Sequence, residues 1–159
     1  MKIRHHGDFH LGQMLTVRDD VFIIDFEGEP RRSVADRRQK APAARDVAGL
    51  IRSIDYSVTA ALDRALKSTP DEKGNVSRAL DGWREHSVAA FLDAYRRSLN
   101  SDPRLWPQSP QEADRLLDFF LLEKAFYEIE YELAHRPDWL RVPLAGTWRI
   151  LSRWEGSPT

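Results

Sequence analysis

The first dozen or so residues hold an unusual density of reactive side chains. Arg4-His5-His6-Gly7-Asp8-Phe9-His10-Leu11-Gly12-Gln13 packs three histidines, one aspartate and one glutamine into one short stretch. Further on, Ile23-Ile24-Asp25-Phe26-Glu27-Gly28 sets one carboxylate directly after an apolar run and a second beyond it. Three chemistries suit these residues. In the plainest, they cap a turn and satisfy one another. In the second, His5, His6, Asp8 and His10 bind zinc for hydrolysis. That needs three or four convergent ligands, whereas the spacing His-Glu-x-x-His is absent and adjacent His5 and His6 point apart. The third is phosphoryl transfer. It uses an Asp base in a loop, an amide side chain a few residues later for metal, and a metal-binding Asp after the next strand. Asp8, Gln13 and Asp25 occur in that order.

The elements that position them are legible. Met14-Leu15-Thr16-Val17 and Val21-Phe22-Ile23-Ile24 are short, apolar and partly β-branched, with Arg18-Asp19-Asp20 between them. This reads as a hairpin with a three-residue turn. With the turn centred on Asp19, Val17 faces Val21, Leu15 faces Ile23 and Gln13 faces Asp25. Opposed residues share a face with Cβ atoms about 4.5–5.5 Å apart. A carboxamide oxygen and a carboxylate at that spacing suit Mg²⁺, which takes few protein oxygens and fills its shell with water and phosphates. Asp8, in the loop just before, is free to act as a base. A register slip of one residue would separate the two ligands.

Gly28-Glu29-Pro30 ends the hairpin. Residues 31–45 carry Arg31, Arg32, Arg37, Arg38, Lys40 and Arg45 and read as a basic, solvated loop leading into a helix, with a role near phosphate as the alternative. Apolar residues then recur at helical spacing over 45–68, 76–99 and 111–134. Asn100 to Pro110 reads as a loop. A last helix is expected from Trp139 to Trp154, with Pro143 tolerated in its first turns. The fold class is α+β, mainly α: a β-hairpin followed by about four helices.

Composition bounds the rest. The chain has 159 residues, close to one domain, with 42% hydrophobic and 31% charged residues. No apolar run is long enough for a transmembrane helix, and Met1-Lys2-Ile3-Arg4 does not open a secretory signal. The absence of cysteine excludes disulfides and thiol catalysis and fits a reducing cytoplasm. Lys plus Arg (24) nearly balances Asp plus Glu (25), which offers no steering field for nucleic acid or an anionic membrane.

His6-Gly7-Asp8 with Gln13, followed by Ile24-Asp25-Phe26-Glu27-Gly28, resembles the catalytic and metal-binding loops of the aminoglycoside-phosphotransferase-like, protein-kinase-like superfamily. More narrowly, the stretches 6–13, 25–30, 45–56 and 131–139 resemble bacterial maltokinases, often fused to trehalose synthase. The resemblance implies the C-terminal lobe of the protein-kinase-like fold, incomplete at its N-terminus. Residues 1–30 would supply the catalytic and metal-binding loops with the hairpin. Residues 31–159 would supply the helical part, the whole forming one structural domain.

The resemblance also implies roles. Asp8 is the catalytic base. Gln13 and Asp25 bind Mg²⁺ beside ATP, and Glu27 binds a second Mg²⁺ or a sugar hydroxyl. His10, Arg52, Tyr56, Tyr127 and Tyr131 are candidates for the sugar site, each also explicable as ordinary helix packing. His6 supports the loop, and Asp46 is expected to accept backbone N–H bonds from it. The implied reaction is ATP plus maltose to ADP plus maltose 1-phosphate. The implied partners are maltose or a related disaccharide and a missing N-terminal kinase lobe or trehalose synthase domain. Alone the chain is expected to be inactive, because nothing in it supplies a nucleotide lobe. The alternative is a non-catalytic accessory or remnant domain that binds sugar or a partner. Apolar surface left by absent helices favours a homodimer.

Overall fold

The computed structural model of the chain describes residues 1–99, 102 and 104–155. Strands β1 (Met14–Val17) and β2 (Asp20–Ile23) form the antiparallel hairpin. A single-turn helix α1 (Val34–Arg37) follows, then the long helices α2 (Ala44–Leu66), α3 (Lys73–Ser98) and α4 (Pro110–His135), and finally α5 (Arg141–Glu155). The loop expected from Asn100 to Pro110 lies partly outside the described residues.

The register departs from the sequence reading by one residue. Met14 pairs with Ile23 and Val17 with Asp20, so the turn has two residues, Arg18 and Asp19. Arg18 adopts the left-handed conformation (φ 57°), which lets a tight turn follow the twist of the strands without glycine. Residues 31–45 are not simply a loop. Ser33 caps α1 by accepting the Asp36 N–H, and an isolated bridge ties Ile3 to Ala41 just before α2.

The long helices start and stop for local reasons. Ser109 caps α4 by accepting the Glu112 N–H, with Pro110 in the first turn, where its missing N–H is not needed. Pro143 sits early in α5 for the same reason. The core lies between α2 and α4. Ala44, Ala48 and Ala125 are fully buried small residues that permit close approach, and Val47, Ile51, Leu117, Phe120, Leu121 and Ile150 fill the space around them. α3 packs on the flank of this core through partly buried Val88, Phe91, Leu92 and Tyr95.

A ladder of polar contacts fixes the α2–α4 alignment. Arg52 meets Glu128, and one turn later Tyr56 meets Glu132, so the two helices run in the same direction. The hairpin, by contrast, is poorly covered. Leu15, Val17, Val21, Phe22 and Ile23 are all exposed.

Candidate functional site

The loop that carries Asp8 is held from three sides. Asp46, in the first turn of α2, accepts the His6 N–H (2.7 Å) and the Gly7 N–H (2.9 Å). The His6 ring is buried between Phe9 and Phe26. Its Nε2 lies 2.8 Å from the Ile24 carbonyl and so donates there, which leaves Nδ1 to accept the Asp8 N–H at 3.3 Å. His6 thereby links the loop to the exit of the hairpin. Gly7 and Gly28 both have positive φ (87° and 78°), and a Cβ on Gly7 would stand 3.1 Å from the Gly28 backbone, so the two loops cross at glycines.

The register slip does not separate Gln13 from Asp25. Asp25 leaves the ladder in a left-handed conformation (φ 61°), which turns its carboxylate back, and Gln13 Nε2 donates to Asp25 Oδ2 at 3.0 Å. Turning the amide over presents Oε1 to the same space, giving two oxygen donors open to solvent. Glu27, between the two loops in sequence, lines a cavity with Arg4, His5, Phe26 and Arg37. Among the described residues no cluster of three or more His, Asp or Glu is arranged to hold a metal. Two oxygens fit Mg²⁺, which relies on phosphates and water, and do not fit zinc.

Around Asp8 lies a charged cluster. Lys124 Nζ from α4 sits 3.5 Å from Asp8 Oδ1 and 3.0 Å from Glu29 Oε2, and the Tyr127 hydroxyl donates to Glu29 Oε1 at 2.8 Å. The two carboxyls titrate in opposite directions. Burial pushes Asp8 above its ordinary range despite Lys124. Burial also acts upward on Glu29, but Lys124 and the Tyr127 hydroxyl outweigh it and hold Glu29 below its ordinary range. Tyr127 is raised, first by burial and then by Glu29. His10 accepts the Gly12 N–H through Nδ1 (3.1 Å), and its Nε2 is 3.9 Å from Asp8 Oδ2. The cavity over Asp8 measures about 30 Å³, room for a water or two, so these residues form the floor of a site rather than a closed pocket.

Of the residues expected around a sugar, the fold brings Tyr127 and His10 to Asp8. Tyr131 lies one turn beyond Tyr127, beneath the same Arg31 guanidinium and stacked on His135. Arg52 and Tyr56 are elsewhere, which corrects the sequence expectation. Arg52 is 1% exposed, donates to Glu128 (2.9 and 2.6 Å) and Asp55 (2.6 Å), and is walled off inside the helices. Tyr56 donates to Glu132 and stacks on Trp139 in the same layer. The physical reason is the helical rotation of about 100° per residue. Tyr127 and Glu128 are neighbours in sequence, yet one turns to the catalytic loop and the other to Arg52. The sequence reading missed Lys124 and Glu29. One signal was available: the charged pair Glu123-Lys124 interrupts an otherwise apolar stretch, Phe119 to Tyr127, one turn before Tyr127.

These elements define an α+β fold of the kinase-like class, a hairpin with its flanking loops set on a helical bundle. No family model matches the sequence. The chain is 36% identical over 143 residues to a glucosamine kinase of Streptacidiphilus jiangxiensis, covering 87% of this chain and 29% of that protein. It is 30% identical over 154 residues to a glucosamine kinase of Mycolicibacterium smegmatis, covering 97% of this chain and 35% of that one. Among solved structures, glucosamine kinase in crystal form B superposes with a TM-score of 0.78 at 31% identity, over 96% of this chain and 34% of that chain. A glucosamine kinase in complex with glucosamine, ADP and inorganic phosphate superposes with a TM-score of 0.68 at 32% identity, over 99% and 33%. The chain thus spans about a third of the length of the relatives it matches. They support a sugar-kinase-like family and not maltokinase specifically. No helix among the described residues is long and apolar enough to cross a membrane.

Proposed function

We propose that this chain is the catalytic-loop portion of a sugar kinase that transfers the γ-phosphoryl group of ATP to a hydroxyl of an amino sugar. It acts with a nucleotide-binding lobe of the kind its longer relatives have room for. The observation that carries the reading is the arrangement of Asp8, anchored by Asp46 and His6, beside a Gln13–Asp25 pair at the open end of the hairpin.

In this reading Asp8 accepts the proton of the attacking hydroxyl as the new O–P bond forms and the bond to the ADP oxygen breaks. Its upward-shifted pKa makes it a better proton acceptor than an ordinary surface aspartate. Gln13 Oε1 and Asp25 would hold Mg²⁺, which neutralises charge on the nucleotide phosphates. Lys124 keeps Glu29 ionised and restrains Asp8, so both carboxylates are oriented before the sugar arrives.

The same cluster supports an amino sugar as the substrate class. Asp8 and Glu29 already share one ammonium, that of Lys124. Two carboxylates against one ammonium leave the cluster net negative, which favours the ammonium of an amino sugar over a neutral sugar. Maltose carries no charge to offer them. The relatives named glucosamine kinase point the same way.

The test is a phosphorylation assay on the chain co-expressed with the remaining part of the Mycolicibacterium smegmatis glucosamine kinase. ADP release is followed with glucosamine, glucose and maltose. Glucosamine is expected to be preferred over glucose by about tenfold or more, as for a charge-assisted contact. Faster turnover of maltose would restore the maltokinase reading. A stable complex without turnover of any sugar would favour a non-catalytic module.

A further inference from the structure

The basic stretch 31–45 is sorted by the fold into two groups. Arg31, Arg32 and Arg45 turn to α4, where Glu130 and Glu123 meet them. Arg37, Arg38 and Lys40 do not. With Arg4 they line a cavity of about 670 Å³, a size that suits a small molecule. It shares no residue with the cavity over Asp8. None of these four cations forms an ion pair among the described residues. The lining holds one carboxylate, Glu27. Asp36, the other acid of this segment, is taken up by Ser33 and Gln39. His5 adds no charge, because burial pushes its ring below the ordinary range.

Arg37 is the most constrained of the four. Its Nη1 donates to the Glu27 carbonyl at 3.3 Å, and its stem packs on Gly28. Its Nε is buried and has no acceptor. A buried donor left without an acceptor is costly, and the Nε–Nη2 edge of a guanidinium is one that grips an anion through two parallel bonds. A concave lining of one sign also concentrates the field inside it. We propose that this cavity binds a small phosphate-bearing molecule, with Arg4, Arg37, Arg38 and Lys40 on the phosphate and Phe26 and Val34 against its organic part. Four cations against one carboxylate call for a dianion, which a phosphate supplies and a single carboxylate does not. The chain as a whole has a net charge of -1, so the patch is local and suits one compact anion rather than a nucleic-acid polymer. Phe26 and Glu27 stand between Asp25 and Glu29 in the chain, so the ligand bears on the segment that joins the two parts of the candidate active site.

The test titrates the full chain, without magnesium and at constant ionic strength, with inorganic phosphate and with glucose 6-phosphate. Heat and backbone amide shifts are followed. One site per chain is expected, with a Kd of about 1 mM or tighter, and the largest shifts should fall on residues 26–28 and 37–40. Arg38→Ala and Lys40→Ala should each weaken binding about fivefold or more. Lys73→Ala removes the same charge at the start of α3 and should leave binding within about twofold. Arg38 and Lys40 are exposed and their side chains hold nothing in place, so neither variant threatens folding, and circular dichroism checks this. Tighter binding of the ester than of the free ion would assign Phe26 and Val34 to the sugar, and equal binding would assign the site to phosphate itself. Either result upholds the proposal.

No saturable binding of either probe would overturn it. So would equal weakening by Lys73→Ala, which would mark a general charge effect, or shifts centred on Asp8 and Lys124. Binding that is lost when the chain is joined by the complementary part of the Mycolicibacterium smegmatis glucosamine kinase would overturn it as well, because the cations would then belong to a contact within the longer polypeptide. The sugar-kinase reading rests on Asp8, Gln13 and Asp25 and survives any of these failures.

Discussion

Gly49 is where helix packing and the catalytic loop meet. It lies in α2, one turn after Asp46, and a Cβ placed on it would stand 2.6 Å from the Phe9 carbonyl oxygen. The obstacle is backbone, not the tip of a side chain, so Gly49→Ala has to lift the loop. A carbon–oxygen contact relaxes at about 3.3 Å, which from 2.6 Å requires a shift of about 0.7 Å. The same shift would stretch the His6 and Gly7 bonds to Asp46 from 2.7 and 2.9 Å to about 3.4 and 3.6 Å, at or past the limit of a useful hydrogen bond. Two terms then oppose each other in stability. Replacing glycine in a helix interior gains about 1 kcal/mol, while overpacking costs about 1–3 kcal/mol.

The net change in folding stability is therefore small, between about zero and 2 kcal/mol lost, and the local effect is large. Urea denaturation reads the first. Amide exchange at His6 and Gly7 reads the second, and both should lose protection about tenfold or more. In the complemented enzyme, a misplacement of this size should lower kcat about tenfold to a hundredfold. A Gly49→Ala protein that is about 1 kcal/mol more stable, with His6 and Gly7 protection unchanged, would refute the reasoning.

Three further outcomes follow from the charged clusters. Arg52→Met leaves Glu128 buried without its partner and should cost about 3–5 kcal/mol in urea denaturation, with Glu128→Gln in the same chain recovering part of it. Asp8 is raised in the folded state, so its charge opposes folding above its folded pKa and the opposition fades as pH falls through it. Asp8→Asn should therefore be at least as stable as the natural chain at pH 7 while losing most phosphorylation, and a loss above about 1 kcal/mol in its urea midpoint would contradict this. Glu29 is lowered, so its contribution is present above the ordinary carboxylate range and is lost as pH falls through its folded value. Lys124→Met should move the acid limb of the pH–rate profile to higher pH, and its stability deficit should narrow as both carboxyls protonate.

The hairpin shows why a correct pairing emerged from a wrong register. Period-two alternation places side chains only while the backbone stays in the ladder. The sequence reading put Asp19 at the centre of a three-residue turn, and the real turn is one residue shorter because Arg18 adopts a left-handed conformation. The slip alone would have sent Asp25 to the far face. Asp25 is itself left-handed, and that second departure turns its carboxylate back to Gln13. Residue type gives no sign of the left-handed conformation at Arg18, and at Asp25, a type that visits the left-handed region, nothing in the neighbouring sequence marks this position for it. Helix boundaries were legible because Ser109-Pro110 and the apolar spacing act locally.

Helix α4 marks the opposite limit. Phe119, Phe126 and Leu133 lie on its exposed side, while Leu117, Phe120, Leu121 and Ala125 lie on its buried side. A helix apolar on both faces carries no periodic signal for which face meets the core. The sequence therefore could not say whether Tyr127 or Glu128 turned toward Asp8, nor that Lys124 came with Tyr127. The same lack of contrast left Arg52 looking like a sugar contact, because α2 shows its own Asp55 one turn on but nothing in it reveals Glu128 of α4 at the same level of the bundle. What decides both cases is the phase of α4 against α2, fixed by Arg52–Glu128 and Tyr56–Glu132. That phase also delivers Lys124 and Tyr127 to Glu29, so the buried ladder and the candidate site are set by the same rotation of one helix.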